Sequence, residues 1–138
     1  MTAPAIEVGA ELPPLTVQLT RERLVRYAGA ATDFNPIHYS DRAATAIGLP
    51  GVVAHGMLTM GAALRAVTDW VGGPARVIGY GARFTSPVAV PDDAVGATMI
   101  VTGRVTAAEG DRATIQLDVV CGDVKVLGGA KVDLDLGR

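Results

Sequence analysis

Residues 54 to 71, AHGMLTMGAALRAVTDWV, constrain the fold more than any other stretch of this chain. Met57, Met60, Leu64, Val67 and Val71 recur at spacings of three and four, and the positions between them are mostly small: Gly61, Ala62, Ala63 and Ala66. A helix this apolar on nearly every side must be enclosed rather than laid on a surface. Gly72-Gly73-Pro74 ends it. Its longest apolar run, near residues 56 to 64, is followed by Arg65 and falls far short of the roughly 20 residues a membrane span requires.

The period then changes from helical to alternating. Ile78, Tyr80, Ala82 and Phe84 alternate, as do Met99, Val101 and Val105, then Ile115, Leu117, Val119 and Cys121, then Val124, Val126, Val132 and Leu134. Four strands follow the helix. The connections at 86 to 94, at Glu109-Gly110-Asp111 and at Gly122-Asp123 carry turn chemistry, the last short enough for a tight hairpin. An antiparallel meander is the simplest joining, and one face of it has to be covered by the long helix. The pattern is α+β: one early strand, small helices, a long buried helix, then a curved antiparallel sheet around it.

Upstream, Leu15-Thr16-Val17-Gln18-Leu19 alternates as a short strand, and Thr20 suits the N-cap of a helix over 21 to 28 with Glu22 in its first turn. Leu24, Val25 and Tyr27 or Ala28 are its inward candidates, and Gly29 reads as its end. Residues 31 to 39 read as a loop because Asn35-Pro36 biases Asn35 out of the helical region. Ser40 caps a second short helix over 41 to 47, with Gly48 as its stop.

The chain's 138 residues fit one domain, 1 to 138, and 49% apolar residues with only 4% aromatics imply an aliphatic core with enough surplus for a subunit interface. A net charge of −2 with no basic cluster argues against nucleic acid as a partner. A single cysteine, Cys121, excludes an intrachain disulfide, and MTAPAIEVG has the marks of no secretory leader, so a cytoplasmic location without membrane association is expected. Two histidines and scattered acids offer no ligand cluster of the usual spacing, so no metal is expected.

The chemistry is densest between Tyr27 and Gly61. Asp33, Asn35 and His38 put a carboxylate, an amide and an imidazole within six residues of a loop. Asp33 and His38 can converge there on one water, while Asn35 holds the loop or His38 in register. Taken singly, Asp33 reads as an Asx-turn or capping residue and His38 as a satisfied structural histidine. His55 reads as bonding to backbone where a loop enters the helix, or as standing at the edge of a site. Arg83 suits a surface ion pair or a carrier phosphate equally.

Tyr27-Ala28-Gly29 followed by Thr32-Asp33-Phe34-Asn35-Pro36-Ile37-His38 resembles the signature of the MaoC-like (R)-specific enoyl-thioester hydratases and dehydratases, the hydratase 2 motif. Ala54-His55-Gly56-Met57 and Arg83-Phe84-Thr85-Ser86-Pro87-Val88 resemble two further pieces of that family in order and spacing, so the likeness runs from Tyr27 to about Val90. The chain also resembles the short, single-domain (3R)-hydroxyacyl-thioester dehydratase subunits of actinobacterial fatty-acid elongation. Thr32 departs from the motif, standing where the family often has glycine.

The resemblance implies a hotdog fold, a homodimer or a heterodimer with a related hotdog subunit, and no cofactor beyond the carrier of an acyl-CoA or acyl carrier protein substrate. It also implies Asp33 and His38 as a catalytic acid-base pair interconverting trans-2-enoyl and (3R)-3-hydroxyacyl thioesters. That chemistry needs an activated water at C3, a proton at C2 and a donor for the thioester oxygen. The backbone N–H of Gly56, at a helix N-terminus, suits the last role, with Asn35 and His55 in support.

Two rivals stand beside it. A hotdog thioesterase would need an acid or nucleophile on the central helix, where Gly56 to Thr68 carries neither Asp nor Glu. A non-catalytic subunit of a heterodimeric dehydratase could dispense with the Asp/His pair that this chain has.

Overall fold

The computed structural model describes residues 4–137. Strand β1 (Leu15–Leu19) is followed by helix α1 (Arg21–Ala31), a 3-10 turn (Pro36–His38), helix α2 (Asp41–Ala46) and helix α3 (Gly56–Val71). A second 3-10 turn (Pro74–Arg76) leads into β2 (Val77–Phe84), β3 (Ala97–Glu109), β4 (Arg112–Cys121) and β5 (Val124–Asp135). The strands form one antiparallel sheet in the order β1-β3-β4-β5-β2, and α3 touches all five. This is the hotdog fold.

The sheet turns its alternating aliphatic residues onto α3. Met99, Val101, Val105, Ile115, Leu117, Val119, Val132 and Leu134 are buried, while Thr102, Arg104, Gln116 and Asp118 face away. Register follows from the turns. Cys121 pairs with Val124 across Gly122-Asp123, with Gly122 at φ 61, so two residues close the β4–β5 hairpin.

The face that α3 buries agrees with the expected one at Val67 and Val71 and differs toward the N-terminal end. Thr59, Ala62, Ala63, Ala66, Val67 and Val71 are buried, whereas Met60 and Leu64 are half-buried and Met57 is 62% exposed. A curved sheet meeting the helix along its length leaves little room at the line of contact, so the alanines occupy it and the long side chains flank it. Tyr80 of β2 ties sheet to helix by donating its hydroxyl to the Met60 carbonyl at 2.9 Å. Burial pushes that phenol up to about 12.

Helix α1 also departs from expectation. Thr20 caps it as its side chain suggests, accepting from the Arg23 amide, an interaction typically worth about 1 kcal/mol. Gly29, however, lies inside the helix, with nothing near where a Cβ would stand, and Thr32 ends it at φ 55 and ψ 28. Among the described residues Thr32 is the only non-glycine at positive φ. A β-branched residue there costs about 1–2 kcal/mol, which accounts for the glycine common in the resembled motif. Leu24 and Ala28 point inward, and Val25 is exposed. At α2, Ser40 accepts from the Ala43 amide and Gly48 takes φ 90 just beyond the end.

Candidate active site

The loop after α1 is shaped by its own side chains. Asp33 Oδ1 accepts from the Asn35 amide at 3.3 Å and Asn35 Oδ1 from the Ile37 amide at 3.3 Å, two successive Asx-type closures that set up the 3-10 turn. Pro36 fits its first position, where no amide donor is needed. The turn delivers His38 inward, 8% exposed, while Asp33 stays at the surface of a cleft. Asn35 therefore acts on the loop's backbone.

Val53 joins this loop to the start of α3 within one chain. Its amide donates to the Ile37 carbonyl at 3.1 Å, and its carbonyl lies 2.7 Å from His38 Nδ1. A carbonyl can only accept, so His38 carries its proton on Nδ1 and presents the Nε2 lone pair to the cleft. Asp33 Oδ2 stands 3.9 Å from that nitrogen. The two acceptors are too far apart for a direct bond of full strength and well spaced to share one water.

His55 closes the group from the other side. It is 1% exposed, its ring stacks on His38 with centroids 3.7 Å apart at 23°, and it forms a T-shaped pair with Tyr27 with centroids 4.7 Å apart. Its Nε2 lies 3.3 Å from the Asp33 carbonyl. Burial holds its pKa below the ordinary value, and the neighbouring His38 adds to that. Asp33, His38 and His55 offer ligand-type atoms within 4.8 Å of one another. Two stacked imidazoles, however, direct their in-plane lone pairs side by side rather than toward one centre, so the arrangement suits proton transfer better than an ion.

His55 is also the N-cap residue of α3, yet its side chain makes no cap hydrogen bond. The first-turn amides of α3, beginning at Gly56, thus lack a side-chain partner at the positive end of the helix dipole. Gly56 is glycine for a steric reason: a Cβ there would stand 2.8 Å from Phe84 Cζ and 2.9 Å from Cε1. The Phe84 ring lies directly over the helix start.

These residues line a cleft of about 480 Å³, walled mostly by Ile37, Val53, Met57, Phe84, Pro87 and Val88. A larger groove of about 610 Å³ lies on the solvent face of β3 and β4. Its charged groups Glu11, Arg104 and Asp118 are exposed and already ion-paired, whereas the smaller cleft gathers Asp33, His38 and His55.

The MaoC like domain family matches residues 5–120. The chain belongs to the MaoC-like family. Among curated relatives, the 3-hydroxyacyl-thioester dehydratase X of Mycobacterium tuberculosis is 35% identical over 103 residues, which are 73% of this chain and 32% of that protein. The 3-oxo-4,17-pregnadiene-20-carboxyl-CoA hydratase beta subunit of the same organism is 30% identical over 110 residues, covering 80% of this chain and 81% of the relative. A solved MaoC-like dehydratase superimposes with a TM-score of 0.91 at 34% identity, over 96% of this chain and 41% of that one. The chain thus spans about a third of the first relative and two fifths of the solved structure. Among the described residues, no helix is long and apolar enough to cross a membrane.

Within this MaoC-like domain the fold brings Asp33, His38, His55 and Gly56 to one cleft, with Asn35 behind the loop. Arg83 does not line it: its guanidinium lies over Gly128 and Gly129, within 3.8 Å of where their Cβ atoms would stand. Cys121 is half-buried at the end of β4, its thiol pKa raised by burial.

Several contributors were not singled out from the sequence. Tyr27 was legible only as part of a motif, and the Val53 carbonyl carries no sequence signal. Asp41, in the first turn of α2, accepts from the Val52 amide at 2.8 Å and from Arg21 at 2.9 Å, pinning the 49 to 53 loop. The Val52 bond, then Arg21, hold its carboxyl below the ordinary range.

Proposed function

We propose that this chain catalyses the reversible hydration of trans-2-enoyl thioesters to (3R)-3-hydroxyacyl thioesters. The observation that carries the reading is the pairing of two proton acceptors, His38 Nε2 and Asp33 Oδ2 at 3.9 Å, beside the uncapped start of α3 in one apolar cleft. A water held by both acceptors attacks C3 and gives up a proton to the pair. The electron pair moves through C2 to the thioester oxygen, to which the Gly56 N–H donates. The pair then returns one proton to C2, so that water is added and nothing else is consumed. Dehydration runs the same steps backward. The carrier is a coenzyme A or acyl carrier protein thiol, and the names of the two mycobacterial relatives, a thioester dehydratase and a CoA hydratase subunit, agree with that class.

The same reading includes a second hotdog subunit, another copy or a related chain. β2 is an edge strand of the sheet, and it carries Ile78 and Phe84, 54% and 57% exposed, so its unpaired backbone and apolar side chains suit lateral pairing. One relative is named a beta subunit.

Asp33→Asn and His38→Ala test the chemistry. Each is expected to lower turnover of crotonyl-CoA and longer enoyl-CoA substrates by about 10²–10⁴-fold, the usual share of a general acid or base, with the circular dichroism spectrum unchanged. Wild-type rates in both variants would show the pair to be misassigned. Native mass of the chain expressed alone reads the subunit question.

A further inference from the structure

His55 is buried more completely than its proposed catalytic neighbours, and its Nδ1 is the one buried side-chain polar atom without a hydrogen-bond partner among the described residues. The Asp33 carbonyl 3.3 Å from Nε2 can only accept, so the ring's proton resides on Nε2 and the lone pair on Nδ1. A side chain required merely to bridge loop and helix would need that donor alone, so the unpaired Nδ1 has no part in the bridge. The ring adds a second contact: it lies flat against His38, and Tyr27 of α1 packs against it in a T-shaped arrangement. On α3 the Thr59 hydroxyl is engaged elsewhere, donating to the His55 carbonyl at 3.3 Å. One side chain therefore touches both members of the pair, Asp33 through its main chain and His38 through its face.

We propose that His55 is a positioning residue for the reaction, setting the separation of Asp33 and His38 and keeping the His38 Nε2 lone pair turned to the cleft. Its Nε2–H anchors the backbone that carries the Asp33 carboxylate. Its face confines the His38 ring to the plane in which Nδ1–H reaches the Val53 carbonyl at 2.7 Å. Burial suits this work, because a neutral ring can lie against an imidazole that takes up a proton during turnover, whereas a second cation could not. The kinetic consequence rests on the hydratase reading; the geometric one does not.

Imidazole 15N NMR and steady-state kinetics on wild type, His55→Ala, His55→Gln and His55→Phe test it. In wild type, His38 should show a single tautomer protonated on Nδ1. In His55→Ala it should average between tautomers, with kcat for crotonyl-CoA hydration down at least about tenfold and KM within about threefold, the signature of misaligned groups rather than lost binding. His55→Phe keeps the flat contact and should retain the His38 tautomer. His55→Gln keeps the donor without the ring and should not. Should His55→Ala fail to fold, these two variants decide.

An unchanged His38 spectrum in His55→Ala or His55→Gln overturns the proposal, whether kcat falls or not, because a purely structural residue would lower the melting temperature without moving the tautomer. If wild type turns over no enoyl thioester, the hydratase reading fails while the NMR comparison still judges His55.

Discussion

Gly56→Ala bears directly on how the cleft is built. The added methyl would stand 2.8 Å from Phe84 Cζ, 2.9 Å from Cε1 and 3.2 Å from Cε2, so ring and helix start must separate by about 0.6 Å to reach ordinary contact. Phe84 is more than half exposed and can yield, which keeps the stability loss at the lower end of the about 1–3 kcal/mol typical of overpacking. Function should suffer more, because a displacement approaching 1 Å at a reacting centre can cost about 10²-fold. For this smaller shift we expect kcat/KM to fall by about 10- to 100-fold, or about 1.4–2.7 kcal/mol of barrier.

The assay is loss of the enoyl chromophore of crotonyl-CoA, run beside thermal unfolding. The double variant Gly56→Ala with Phe84→Ala removes the clash while keeping the methyl, and it should recover at least tenfold of the loss. A single variant with wild-type kcat/KM, or a double variant no better than the single, would refute the steric account of Gly56.

Thr32→Gly should raise stability by about 0.5–1 kcal/mol: relief of the left-handed strain, about 1–2 kcal/mol, is partly offset by the extra chain entropy of glycine. Denaturant unfolding measures it, and no gain in the midpoint would mean that the strain is absorbed elsewhere. Asp41→Asn addresses acid stability. Its carboxyl pKa is depressed below 3.8 in the folded state, so the proton binds more weakly there than in the unfolded chain. The contribution of Asp41 is complete above that value and is lost as pH falls through and below it. The variant should therefore lose stability at neutral pH and show a shallower decline in acid, and a midpoint profile parallel to wild type from pH 7 to 3 would exclude the linkage.

Much of the fold is legible in the order of residues because it follows from local periodicity. The switch from helical spacing over 54 to 71 to alternation after Ile78 already implies one helix covered by a meander, and caps such as Thr20 and Ser40 act over three residues. The face of α3 was legible only in part, at Val67 and Val71. Side-chain size argues for burying Met57 and Met60, but closeness to a curved sheet favours Ala62, Ala63 and Ala66, and that closeness exists only once the five strands assemble. Gly29 shows the same limit: the helix runs past it because Thr32, not the glycine, takes the left-handed turn.

The site divides along the same line. Residue types and spacing determined that Asp33, Asn35 and His38 lie on one loop and that a glycine opens the apolar helix. Tertiary structure alone decided which nitrogen of His38 carries the proton, that His55 lies flat against it, and that Phe84 covers Gly56. The Val53 carbonyl is fifteen positions from His38, and Phe84 arrives on a strand beyond the whole of α3. Interactions between such distant segments depend on how the chain closes in space, and no local pattern encodes them.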